Sequence, residues 1–139
     1  MSVPTAFLPA RDANRVKSFV HRWYAAFDEL PNGQPQLLRE MLSASDLLIR
    51  FGPVELNSRD AFVDFYLQLS KGVAGCAHHV HGVHVARGAP SGQFAVGIEA
   101  LFQKVTPAGC VSSLASVQMT IVEVAGQLQI TRYLVALDP

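Results

Sequence analysis

The residues best suited to chemistry lie in one stretch, Gly75–Arg87, GCAHHVHGVHVAR, which carries four of the chain's five histidines. An imidazole can pass a proton near neutral pH or hold a metal. The stretch reads as one strand, and alternate residues of a strand face opposite sides. His79 and His81 therefore share one face and His78 and His84 the other, so the four cannot converge on a single site. His79 and His81 have the spacing of two metal ligands on one strand face. No histidine follows His84, however, and an all-β metal-binding barrel would not open with a helix. No metal is expected, and the plain alternative for any strand histidine is a structural or surface role.

The elements that must position this strand follow from periodicity. Val16, Phe19, Val20, Trp23 and Phe27 recur at helical spacing, with Asp12 or Asn14 able to cap the start, and Pro31, Asn32, Gly33 and Pro35 end that helix. Tyr24 and Asp28, four apart, lie along the edge of its apolar stripe. A short second helix is predicted over Gln36–Leu42, then brief strands over Leu47–Phe51 and Val54–Leu56. A third helix, capped by Asn57 or Ser58, turns Phe62, Phe65, Tyr66 and Leu69 to one side and stops at Gly72. Strands follow over Ala77–Arg87, Phe94–Val105, Cys110–Val124 and Gln127–Leu137, joined by GAPSG, TPAG and AG. Links this short make antiparallel neighbours. The prediction is a single α+β domain over residues 1–139 with an extended lead-in over 1–11, its three helices stacked on a strongly curved, mainly antiparallel sheet. A sheet bent round a helix makes a cone whose wide end can hold a ligand. Val117, Met119 and Ile121 alternate with Ser116, Gln118 and Thr120, and a homodimer through the outer sheet face is expected.

Composition narrows the function. Acids and bases balance at 11 each and only 16% of residues are charged, which argues against nucleic acid as partner and favours a small hydrophobic molecule. Cys76 and Cys110 make no disulfide framework, and no apolar run reaches the ~18 residues of a membrane span. A soluble, cytoplasmic protein is expected. The motifs of nucleotide-binding loops and serine hydrolases do not occur.

With the segments RWYAAFD at the end of the first helix, LNSRDAFVDFY leading into the third and EVAGQLQ between the last strands, the chain resembles the nuclear transport factor 2-like superfamily. Within it, AHHVHG resembles the histidine strand of the SnoaL-like and scytalone dehydratase-like branch. That resemblance implies an acid/base pair of Asp28 with His79, and a serine of the branch at Ser116. It departs at Glu99, where the branch has a second histidine, at Phe51, where it has a tyrosine, and at Gln118, where it has an asparagine. A ketosteroid isomerase fits less well, because its general base would fall at Phe51, its hydrogen-bonding acid at Gln118 and its tyrosine at Trp23.

On this reading Asp28 fixes the tautomer of His79 and leaves the second ring nitrogen to act as general acid or base. Glu99 would add a pocket acid, Gln118, Ser116 and Tyr24 would hold a carbonyl or hydroxyl, and Trp23, Phe27, Phe51, Phe62 and Tyr66 would form apolar walls. The implied activity is cofactor-free dehydration, isomerisation or cyclisation of a hydrophobic carbonyl compound. The alternative is a non-catalytic ligand-binding or accessory subunit using the same cone or the open sheet.

Overall fold

A helix that is apolar along one stripe must bury it, and α1 (Ala10–Phe27) buries Val16, Phe19, Val20, Trp23, Tyr24 and Phe27 against the concave face of a six-stranded sheet. The computed structural model describes residues 8–88 and 92–138, so most of the predicted lead-in and the middle of the GAPSG link lie outside the described residues. The helix begins at Ala10, one turn before the predicted caps, with the Pro9 carbonyl accepting the Asp12 and Ala13 N–H groups at 3.0 and 3.1 Å.

After α1 come α2 (Pro35–Glu40), β1 (Leu48–Phe51), β2 (Val54–Leu56) and α3 (Arg59–Gly72). Ser58 caps α3, its hydroxyl accepting the Ala61 N–H at 3.0 Å. The long strands are β3 (Gly75–Arg87), β4 (Gln93–Thr106), β5 (Gly109–Val124) and β6 (Gln127–Asp138). Their order in the sheet is β2-β1-β6-β5-β4-β3. All neighbours are antiparallel except β1 and β6, which run parallel from Leu48↔Arg132 to Phe51↔Val135. No helix among the described residues is long and apolar enough to cross a membrane.

The concave face is made by Phe94, Val96, Ile98 and Ala100 of β4, Ala115, Val117, Met119 and Ile121 of β5, and Ile130 and Tyr133 of β6. Glu99, Ser116 and Gln118 alternate with these residues and stand exposed on the convex face, for which the sequence predicts a homodimer contact. In β3 the register with β4 steps from Val80↔Ala100 to Gly82↔Glu99, so His81 is an extra, unpaired residue. Such a bulge reverses the phase of a strand. Cys76, His78 and Val80 face inward before it, and Val83 and Val85 after it.

Gly33, in the turn after α1, abuts the hydroxyl of buried Tyr66, which donates to the Phe27 carbonyl at 3.3 Å. A methyl group added at Gly33 would overlap that hydroxyl. Gly33→Ala should therefore destabilise the fold by about 1–3 kcal/mol. Thermal denaturation checks this, and Tyr66→Phe in the same chain should recover part of the loss.

Candidate functional site

Asp28 sits at the C-terminal end of α1, where a negative charge works against the helix dipole and needs another partner. That partner is β3. One carboxylate oxygen accepts the His78 backbone N–H at 2.7 Å, and the other meets His78 Nδ1 at 2.5 Å and the Cys76 thiol at 3.5 Å. The backbone bond fixes where the strand passes the helix, and the ring bond fixes the imidazole. With its Nδ1–H donated to the carboxylate, His78 has Nε2 left as the nitrogen able to accept a proton.

Aromatic rings hold the imidazole in place. Tyr24 and Phe102 lie on either side at centroid distances of 4.5 and 4.7 Å, and Phe27 meets it edge-on at 5.4 Å. His78 borders a cavity of about 140 Å³ whose other walls are chiefly Phe27, Phe51, Phe65, Phe102, Val117 and Val135. Its other polar side chains are Tyr133 and Lys104. The Tyr133 hydroxyl donates to the Tyr24 hydroxyl at 3.2 Å. Burial, above all, pushes Tyr133 up to about 12 and Tyr24 strongly upward, so both phenols are neutral donors at physiological pH.

The sequence places the pair one residue away from where the structure forms it. His79 is exposed on the convex side and its Nε2 pairs with the Gln103 side-chain oxygen at 2.8 Å, so it is not the partner of Asp28. Glu99, Ser116 and Gln118 share that convex side and do not reach the cavity. Trp23, Phe62 and Tyr66 are core residues, each 0–1% exposed, packed behind the cavity. Of the predicted walls, Phe27 and Phe51 line it, and Tyr24 acts through His78 and Tyr133. Residues missed from the sequence are His78, Cys76, Phe102, Lys104 and Tyr133. Phe102 and Lys104 continue the alternation of Phe94, Val96, Ile98 and Ala100, a signal that was available.

Cys76 offers an independent check of this geometry. Burial first, and the Asp28 carboxylate second, push its thiol up to about 12. Only the thiolate is alkylated. Iodoacetamide at pH 8 should label exposed Cys110 and spare Cys76, as read by peptide mass spectrometry. Labelling of Cys76 first would mean that the thiol is not buried beside Asp28.

A larger open groove of about 560 Å³ lies between α1, α2 and the β5–β6 turn. Its cations are already engaged: Arg15 bonds Glu123 and the Gly126 carbonyl, and Arg22 lies over the Phe19 ring. Among the described residues no group of three or more His, Cys, Asp or Glu side chains is arranged to hold a metal ion.

Comparison with solved structures assigns the architecture. A protein from Streptomyces avermitilis, named provisionally as a dehydratase of the nuclear transport factor 2-like family, superposes with a TM-score of 0.81 at 13% identity, over 94% of this chain and 99% of that one. Two proteins from Novosphingobium aromaticivorans are also similar. One is named provisionally as a scytalone dehydratase (TM-score 0.78, 15% identity, 93% and 85% covered), the other as an aromatic ring hydroxylase (0.84, 12%, 94% and 92%). No family model and no curated protein matches the sequence. The chain thus has the nuclear transport factor 2-like fold, an α+β cone of an open, curved six-stranded sheet with α1 packed on it. Identities this low carry the fold and not the reaction.

Proposed function

We propose that the protein is a small-molecule enzyme that moves protons on an apolar carbonyl compound, by dehydration, isomerisation or cyclisation, with His78 as the acid/base and Asp28 as its positioning partner. The observation that carries this reading is the carboxylate clamp: Asp28 binds both the backbone and the ring of His78, fixing one tautomer at the edge of an apolar cavity. The dehydratase names borne by two of the similar structures agree with this chemistry.

In such a step Nε2 removes a proton beside the carbonyl, and Asp28 stabilises the imidazolium that forms. The proton then returns to carbon in an isomerisation or leaves with a hydroxyl as water in a dehydration. Tyr133 lines the cavity, and to bond the developing oxyanion its hydroxyl would turn the proton it now donates to Tyr24 toward the ligand.

The test is deuterium uptake from heavy water into cyclohexanone, together with release of cyclohexenone from 3-hydroxycyclohexanone. Both should be catalysed by the protein and lost in His78→Gln. Binding of these compounds without turnover would favour a ligand-binding module instead.

A further inference from the structure

The cavity that holds His78 contains one feature that proton transfer does not use. Lys104 of β4 stands directly opposite Cys76 of β3, beside the pair His78↔Phe102. On adjacent strands this diagonal neighbour relation puts the Lys104 and His78 backbones about 7–8 Å apart. Lys104 lines the cavity, is only partly exposed and forms no ion pair among the described residues. The nearby carboxylate, Asp28, is already occupied by His78 and Cys76. Apart from Lys104, His78 and Tyr133 the lining is aromatic and aliphatic. Among the described residues no carboxylate lines the cavity, so the Lys104 ammonium has no counter-charge on its walls.

Size sets a second limit. A cavity of about 140 Å³ is close to the roughly 150 Å³ that accommodates one benzene ring. Leu137, 53% exposed, lines the cavity together with partly exposed Lys104, so the cavity is open to solvent and a ring seated among Phe27, Phe51 and Phe102 can carry a substituent that is not enclosed.

We infer that the ligand of this cavity is a monocyclic, apolar ring bearing a carboxylate, with Lys104 binding the carboxylate while the ring lies against His78. This names the substrate class for the site proposed above and rests on that site being the ligand cavity. Lys104 is a specificity residue in this arrangement: it selects the anion and takes no part in moving the proton.

The probes are benzoate and its uncharged isostere benzamide, titrated by calorimetry at pH 7.5 and low salt. The wild type should bind benzoate about tenfold more tightly than benzamide, the equivalent of about 1.4 kcal/mol. Lys104→Met keeps the apolar stem and should bring the two probes to parity, whereas Lys104→Arg should keep the preference. His78→Gln should also keep it, which separates attraction by Lys104 from attraction by an imidazolium. Equal binding of both probes by the wild type, no binding of either, or a preference that survives Lys104→Met would each overturn the inference. Because these are binding measurements, they stand or fall separately from the turnover lost in His78→Gln.

Discussion

His78→Gln is expected to slow turnover by about 10²- to 10⁴-fold, the usual contribution of a positioned acid/base, while His79→Gln stays near the wild-type rate. The two histidines are neighbours in sequence but on opposite faces of β3, one clamped by Asp28 and the other bonded to Gln103 in solvent. Glutamine can still donate to the carboxylate but cannot accept and release a proton at neutral pH. The variant therefore tests the proton and not the packing, and an unchanged melting temperature makes the comparison clean. Asp28→Asn should follow His78→Gln in direction, because an amide does not stabilise the imidazolium that forms during reaction. Equal rates for His78→Gln and the wild type would remove the catalytic proposal.

Trp23→Ala should cost about 3–5 kcal/mol of stability, a large part of the 5–15 kcal/mol typical of a whole domain. Trp23 is fully buried and packs on Phe62 at 5.6 Å, on Tyr133 edge-on at 5.5 Å and on Phe27 at 6.3 Å. It joins helix to sheet directly behind the cavity wall. Removing the indole leaves a void among three aromatic rings that cannot close without moving Tyr133, so the melting temperature should fall by roughly 10–20 °C. Trp23→Phe fills most of the void and should fall by much less. Scanning calorimetry reads both, and a shift of only a few degrees in the alanine variant would show that the helix is not anchored here.

Much of this fold was legible because its signals are local. The stripe Val16–Phe27, the breaker turn after it and the alternation along β4 and β5 each depend on neighbouring residues. The site was harder because it depends on phase. Extending the inward phase of Val83 and Val85 back along β3 without interruption turns His79 and His81 inward, and the bulge at His81 reverses that. The one local mark of the bulge is Gly82, an isolated glycine inside a strand pattern. Family resemblance drew Ser116 and Gln118 toward the cavity as it drew His79, although their alternation with Val117 and Met119 already placed them on the other face. The aromatic set divided by burial and not by element: Trp23, Phe62 and Tyr66 are fully buried in the core, while Phe27 and Phe65 on helices and Phe51 on a strand line the cavity.

The sheet holds the two sides of the cavity unequally. On one side the edge strand β3 pairs with β4 from Gly75 to Arg87, broken once by the bulge, while on the other β1 meets β6 only over Leu48–Phe51, and Phe51 closes that wall by stacking on Phe65 at 4.9 Å. Local opening is easiest where backbone pairing is short. The Phe51 flank is thus the more compliant wall of the cavity, while His78 sits on the longer-paired one, moored to Asp28 by backbone and ring.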